Sequence, residues 1–206
     1  MKYVITAGPT REHLDPVRFL SNPSSGKMGF AVAAAAARRG HDTVLVSGPV
    51  SLKTPPGVRR IDVVSAREML AAVKSEADAG CVLVAVAAVA DFRPAKRSGV
   101  KLKKRSMPGE IKLVRNPDIL KTLKNARIRR VGFAAETNDV LAEAARKCRE
   151  KKLDFIVAND VGEPGSGFGV STNRVTFVYP DGAVKKLPLM TKRRVAERIV
   201  DEIDRA

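Results

Sequence analysis

Apolar and polar positions alternate along this chain in two rhythms. Short runs rich in β-branched and apolar residues are each followed by a longer stretch with apolar residues at helical spacing. The run KYVITA at 2–7 predicts a first strand, and the alanine-rich stretch 26–39 predicts a helix closed by Gly40, where a C-terminal glycine belongs. TVLVS at 43–47 is a second strand, ending at Gly48-Pro49. Ser65 with Glu68 three residues on has the form of a capping box and opens a helix to about Ala79. The uninterrupted apolar run 81–88 is expected of a strand covered on both faces in a parallel sheet. Asn116 before Pro117 fits an N-cap with proline at the first helical position, starting a helix through Leu123. A strand at 130–134, a helix at 138–151 and a strand at 155–158 repeat the unit. Residues 174–179 and 184–188 flank Pro180-Asp181-Gly182, a hairpin signal, and Thr191 caps a final helix.

Repeated strand–helix–strand units require a mainly parallel sheet with helices on both faces, because right-handed crossovers place them there. The expected architecture is a doubly wound, Rossmann-like α/β fold with a C-terminal antiparallel hairpin, and residues 1–206 are expected to form a single domain. In such sheets ligands bind outside the carboxyl ends of the strands. Those tails are Gly8-Pro9-Thr10, Ser47-Gly48-Pro49, residues 88–91, residues 135–138 and Asn159-Asp160, all on one rim.

Composition narrows the class. Apolar residues make up 44% and charged residues 29% of 206, the balance of a folded globular protein. The longest stretches without charge, 79–90 and 28–37, fall short of the roughly 20 residues that a membrane-spanning helix needs. The chain enters its first strand at once, with no long apolar signal region, so a cytoplasmic location is expected. Two cysteines, Cys81 and Cys148, and two histidines, His13 and His41, have no metal-ligand spacing, so no Cys/His zinc set is expected. Charge is the outlier: 38 Lys and Arg against 22 Asp and Glu give +16, which calls for anionic partners, either nucleic acid or phosphorylated metabolites and nucleotides. Seven bases, Arg93, Lys96, Arg97, Lys101, Lys103, Lys104 and Arg105, follow one another with no acid between them, and Pro94, Ser98 and Gly99 among them mark a loop rather than a recognition helix.

Each candidate site has a plain structural reading beside the functional one. Residues 21–29 (SNPSSGKMG) invite comparison with a P-loop, yet Ser21 stands at its first glycine and Met28 at its metal-binding hydroxyl; no Gly-x-Gly-x-x-Gly follows the first strand either. What remains is a helix start rich in small polar residues, suited to an anion and equally explained by capping from Ser24 or Ser25. Lys147 and Lys151 share one helical face, opposite Val140, Leu141, Ala144, Ala145 and Cys148. Asp91, with Glu136, Asn138, Asn159 and Asp160, sits at strand tails where cap and turn roles are common. Cys81 reads as core, and residues 165–169 (GSGFG) as a connection.

Seven blocks taken in order name more than any one of them: TAGPTRE at 6–12, DPVRFLSN at 15–22, SSGKMG at 24–29, AAVAD at 87–91, KLKK at 101–104, NPDI at 116–119 and GFAAET at 132–137. Together they resemble phosphopantothenoylcysteine synthetase, over essentially the whole chain. The resemblance implies a ligase that joins L-cysteine to 4'-phosphopantothenate in coenzyme A synthesis. In the bacterial type CTP forms an acyl-cytidylate and pyrophosphate, and the cysteine amine then displaces CMP. It implies that Asn22 holds the acyl oxygen, that Arg18 orients the intermediate or the substrate phosphate, and that Ser24, Ser25, Gly26 and Ala88 serve phosphopantothenate. Lys101 would neutralise the departing pyrophosphate. Ala85, Val86, Ala87, Asp91, Pro117, Asp118, Ile119, Leu120, Phe133, Lys147 and Lys151 correspond to nucleotide-binding positions. Magnesium is expected on the phosphates, with no protein side chain assigned to it, and a homodimer is implied, with the basic loop region reaching across. Bacterial members often carry this unit behind a flavin-dependent decarboxylase half, which is not expected here. A basic Rossmann-like nucleic-acid-binding protein is the competing class; its weakness is an aromatic content of 4%, with no stacking stripe. An NAD-type oxidoreductase lacks its glycine fingerprint.

Overall fold

The computed structural model describes residues 1–106, 109–124, 126–136, 139–160, 167 and 169–205, with residues 106, 135, 136 and 160 described by their backbone only. Eight strands form the central sheet: β1 (Lys2–Ala7), β2 (Asp42–Ser47), β3 (Val58–Asp62), β4 (Val82–Ala85), β5 (Arg129–Glu136), β6 (Phe155–Asp160), β7 (Val175–Val178) and β8 (Val184–Lys186). Their spatial order is β8-β7-β6-β5-β4-β1-β2-β3. β1 to β6 are parallel, with Ile5 beside both Leu45 and Val84, while β7 and β8 add antiparallel at one edge. The chain runs outward from β1 to β3, then returns to the other side of β1 for β4, so the order reverses between β1 and β4.

The middle strands carry apolar residues on both faces because helices cover both. Helices α1 (Lys27–Arg38) and α5 (Lys192–Arg205) bury Phe30, Val32, Ala36, Ile199 and Ile203 against Tyr3, Ile5, Val84, Val157 and Phe177. On the opposite face α2 (Ala66–Glu76) and α4 (Val140–Glu150) bury Met69, Val73, Ala144 and Cys148 against Val4, Val44, Leu83 and Ile156. The expected capping box forms: the Glu68 amide donates to Ser65 Oγ at 3.3 Å, and Glu68 Oε2 accepts from the Val64 amide at 2.8 Å. At the C-terminal hairpin Gly182 takes φ +91°, and Arg194 N–H donates to the cap Thr191 Oγ1 at 3.3 Å.

Several local expectations change. Asn116 does not cap a helix; its Nδ2 donates to Ala90 O at 2.8 Å, and the single-turn helix α3 (Ile119–Thr122) is capped by Asp118, whose carboxylate accepts the Lys121 amide at 3.0 Å. The N-cap residue of α1 is Gly26, at φ 76°, rather than Ser24 or Ser25, and it makes no side-chain cap hydrogen bond; Ser24 Oγ instead accepts the Gly26 amide at 3.4 Å. Leu141 is 40% exposed and leaves the packed face of α4, which is built on Ala144 and Cys148. The run 81–88 is a strand only from Val82 to Ala85, after which Ala88 makes an isolated parallel bridge to Pro9 beyond the end of β1. β3 was absent from the pattern. Of the expected rim positions, Thr137 and Asn138 lie outside the described residues, as do Gly165, Ser166 and Phe168 of the GSGFG run.

Candidate active site

A cavity of about 380 Å³ opens at the carboxyl ends of β1 and β4, where the strand order reverses, the position at which doubly wound sheets bind ligands. Its floor is the tail of β4. Threonines from the first block hold that tail: Ala87 N–H donates to Thr6 Oγ1 at 3.1 Å and Ala90 N–H to Thr10 Oγ1 at 2.9 Å, while Ala88 N–H donates to Gly8 O at 2.9 Å. Asn22 closes the arrangement from above, its Nδ2 lying 3.2 Å from Ala88 O and 3.3 Å from Val89 O.

The first turn of α1 forms one wall. Only glycine fits at two of its positions: Gly26 has φ +76°, and a Cβ on Gly29 would lie 2.5 Å from Ala7 Cβ and 2.9 Å from Thr6 O. Gly29 thereby seats the helix end directly on β1. With no side-chain cap, the helix end presents its backbone amides and positive dipole end to the cavity.

Of the residues assigned from the sequence, Asn22, Ser24, Ser25, Gly26, Val86, Ala87, Ala88, Asp91, Phe133 and Lys147 line this cavity. Arg18, Lys101, Ala85, Pro117, Asp118, Ile119, Leu120 and Lys151 do not. Arg18 is bound to its own turn and to the basic segment: its Nη2 donates to Asp15 Oδ2 at 2.6 Å and to Leu102 O at 2.6 Å. Asp15 is wholly enclosed; burial works against its charge, yet the amides of Val17, Arg18 and Leu102 and the Arg18 guanidinium hold its carboxyl well below the usual carboxylate range. Lys151 forms an ion pair with Asp118 at 2.8 Å. There too burial opposes the charge, and Lys151 with the amides of Lys121 and Leu120 outweighs it, keeping Asp118 below its ordinary value. Ile119 and Leu120 are core side chains, 6% and 8% exposed, so a ligand would meet their backbone.

The cavity also gathers residues that sequence reasoning left unassigned. Lys192, 6% exposed, sends its Nζ to Gly167 O at 2.7 Å, and Lys27 Nζ reaches Gly169 O at 3.1 Å. Burial, and then the neighbouring charge of Lys27, lower the proton affinity of Lys192. Asn159 and Asn173 complete that side. Asn159 had been noticed as a strand tail; Lys192 and Asn173 give no local signal, since one reads as the start of a basic helix and the other as loop.

Nothing in the cavity is equipped for covalent catalysis by a thiol. Cys81 and Cys148 are core residues, and burial pushes the Cys148 thiol up to about 11. Among the described residues no group of three His, Cys, Asp or Glu side chains could hold a metal, and Asp91 is the acid lining the cavity. The site can bind a polyanion, orient it and neutralise its charge, which is what phosphoryl and nucleotidyl transfer require.

Fold and cavity together define a class: a Rossmann-like α/β protein with an anion-binding cavity at its topological switch point. The chain belongs to the family of the DNA/pantothenate metabolism flavoprotein C-terminal domain, whose model matches residues 1–206. It is 51% identical over 209 residues to the coenzyme A biosynthesis bifunctional protein CoaBC of Escherichia coli (strain K12), covering 98% of this chain and 51% of that protein. The chain therefore spans about half the length of the curated relatives it matches. The crystal structure of the CoaBC C-terminal domain superposes with a TM-score of 0.81 at 43% identity, covering 98% of this chain and 93% of that one. A Cab2 mutant in complex with phosphopantothenate-cysteine shares the fold, with a TM-score of 0.75 at 18% identity over 99% of this chain and 86% of that one.

Proposed function

We propose that this chain is a phosphopantothenate–cysteine ligase of the CTP-dependent type, acting in coenzyme A biosynthesis. The observation that carries this reading is the cavity at the β1/β4 reversal, where the glycine-started end of α1, Lys147 and the Asn22 amide meet. The phosphopantothenate carboxylate attacks the α-phosphorus of CTP; the bond to pyrophosphate breaks and an acyl-cytidylate forms. The cysteine amine then attacks the acyl carbon, CMP leaves with the C–O electron pair, and the amine gives up its proton.

In this reading the start of α1 with Ser24, Ser25 and Gly26 receives phosphate. Nδ2 of Asn22 has two protons; one, shared between Ala88 O and Val89 O, faces the tail of β4, and the other meets the acyl oxygen as charge develops on it. Ala85 to Ala88, Asp91, Phe133 and Lys147 surround the nucleotide and the acyl group. Lys101, on the basic segment outside the cavity lining, acts on the rate of pyrophosphate departure. Magnesium, bound through the nucleotide's phosphates, supplies charge neutralisation there. The reaction is cytoplasmic, and among the described residues no helix is long and apolar enough to cross a membrane.

A homodimer belongs to the same reading. Phe19, Leu20, Phe92 and Leu113 are 37–45% exposed on the antiparallel pairs Arg11–His13/Phe19–Ser21 and Phe92–Pro94/Leu113–Arg115, and Val17, in the turn of the first pair, is 56% exposed. A second copy packed on these pairs would lie next to Arg18.

The test is pyrophosphate release from CTP and 4'-phosphopantothenate with and without cysteine. The cysteine amide must appear when all three are present, and its absence at full nucleotide saturation refutes the assignment.

A further inference from the structure

A second cavity, of about 420 Å³, lies beyond the carboxyl ends of β2 and β3. Val50, Val63 and Val64 give it apolar walls, and Arg11, Arg60 and Asp62 bring charge to it. Arg60 is already matched: its Nε donates to Asp62 Oδ1 at 2.7 Å, its Nη1 donates to Leu52 O at 2.8 Å, and its guanidinium lies over the Phe30 ring. Arg11 is held only by its backbone, the amide donating to Val64 O at 2.8 Å and the residue pairing with Ser21. Its half-buried guanidinium sits 4.7 Å from the Phe19 ring centroid and makes no hydrogen bond or ion pair among the described residues. The cavity therefore carries one uncompensated positive charge beside apolar walls. A planar guanidinium with free N–H donors matches a carboxylate. Asp62, with a side chain 70% exposed, repels a second negative charge, so a polyanion suited to the first cavity is disfavoured in this one.

Val50 is also the partition between the two cavities. Its Cγ1 lies 3.0 Å from where a Cβ on Gly8 would stand and 3.1 Å from one on Gly26, and both glycines line the first cavity. We propose that the second cavity is an effector site for a small organic monocarboxylate with a short apolar body, its carboxylate on Arg11 and its carbons against Val50, Val63 and Val64, and that occupancy is felt at the start of α1 through Val50. A filled cavity holds Val50 against Gly8 and Gly26, which favours the arrangement in which the start of α1 faces the first cavity. The two ligands then raise each other's affinity by the same factor. The site stands apart from the ligase reading; the coupling rests on the first cavity taking a polyanion.

The experiment is titration of the isotope-labelled full chain, followed by two-dimensional NMR, with isovalerate, with isovaleramide as its neutral isostere, and with inorganic tripolyphosphate as a ligand of the first cavity. Isovalerate should shift the amides of Arg11, Val50, Ser51 and Val64, saturate with a Kd of about 10 mM or tighter, and bind at least about fivefold more tightly than isovaleramide. Arg11→Gln should weaken it by about tenfold. If Arg11→Gln does not fold, Asp62→Asn, at an exposed side chain, keeps the test: with the repelling carboxylate gone and Arg60 released, isovalerate should bind at least about threefold more tightly. Equal binding of acid and amide, shifts confined to the amides of the first cavity, or no effect of either substitution overturns the site. An isovalerate affinity that falls as protein concentration rises assigns Arg11 to a second copy of the chain and overturns it too. Saturating isovalerate should tighten tripolyphosphate binding at least about twofold, and an unchanged value overturns the coupling. A wild type that binds isovalerate but not tripolyphosphate refutes the anion reading of the first cavity and the coupling with it, and supports the site alone.

Discussion

Replacing Asn22 by aspartate puts a carboxylate oxygen where Nδ2 now lies 3.2 Å from Ala88 O and 3.3 Å from Val89 O. Two hydrogen bonds disappear, each contributing roughly 0.5–1.5 kcal/mol, and the new charge faces two carbonyl dipoles. Asn22 is exposed, so water relieves part of that repulsion and the loss of stability should stay near 1–2 kcal/mol, a fall in Tm of roughly 2–8 °C for a chain of this size. The loss in rate should be larger. Removing an amide donor from a developing oxyanion costs about 10²–10³ in kcat, or roughly 2.7–4 kcal/mol. In the proposed reaction that loss should fall on the amine-attack step alone, because activation would use the phosphate-binding groups. Asn22→Asp should therefore release one pyrophosphate per site and stall, and mass spectrometry of the bound ligand should find the acyl-cytidylate. Asn22→Ala, which removes the donor without adding charge, should stall in the same way. An empty site with no pyrophosphate released, or a Tm fall far beyond the worked range, would refute the reasoning and assign Asn22 to activation or to folding.

Lys101→Gln should slow pyrophosphate formation by more than about tenfold with Tm nearly unchanged, because an exposed lysine contributes little to the core, and Lys104→Gln should do much less; comparable losses would point to a diffuse basic surface. Gly29→Ala forces a Cβ to within 2.5 Å of Ala7 Cβ, so thermal unfolding should show a loss of roughly 1–3 kcal/mol and CTP binding should weaken as α1 lifts from β1; an unaltered Tm would mean that the helix end is not seated as described. If the +16 charge serves metabolite polyanions, filter binding should find DNA and RNA held weakly, without sequence preference and with steep loss on raising salt; tight binding at physiological salt that resists CTP would favour the nucleic-acid class.

The strands easiest to read in the sequence are those with both faces covered. β1, β2 and β4 to β6 are continuous apolar runs because helices bury them on both sides, whereas β3 is VRRID at the sheet edge. Its Arg59 pairs with Glu76, and Arg60 lies over the Phe30 ring, so charged side chains hide the pattern while completing the packing. Asn116 before Pro117 looks locally like a cap, but its amide is drawn instead to Ala90 O, a tertiary partner that no local rule contains. The same distinction divides the site. Residues within contiguous blocks, such as 22–29 and 86–91, were legible; Lys192 and Asn173 reach the cavity through pairing between Thr172–Asn173 and Met190–Thr191, which only the folded chain brings about. Arg18 shows the converse: a cation within a family block, held by a buried carboxylate outside the cavity lining.

That carboxylate ties the turn before Asn22 to the basic segment that carries Lys101. Asp15 Oδ1 accepts the amides of Val17 and Arg18 at 2.8 Å each, fixing the turn that feeds the pair leading to Asn22. Its Oδ2 accepts the Leu102 amide at 3.1 Å, and Arg18 returns a bond to Leu102 O, so both backbone groups of the residue after Lys101 are held from one point. Ser98 N–H, donating to Leu14 O at 2.9 Å, ties down the start of the same segment. Asp15→Asn would turn either an NH2 group, a donor facing donors, or an uncharged and weaker acceptor toward the guanidinium and the Leu102 amide, loosening the basic segment and the Asn22 turn together. Activation and amine attack should then slow in similar proportion, unlike Asn22→Asp, which spares the first step, or Lys101→Gln, which acts on it. Trypsin should also cut the 101–105 segment faster. Separate measurement of pyrophosphate release and of single-turnover transfer to cysteine decides the matter: a loss confined to one half-reaction, with unchanged trypsin cleavage, would mean that Asp15 does not join the two.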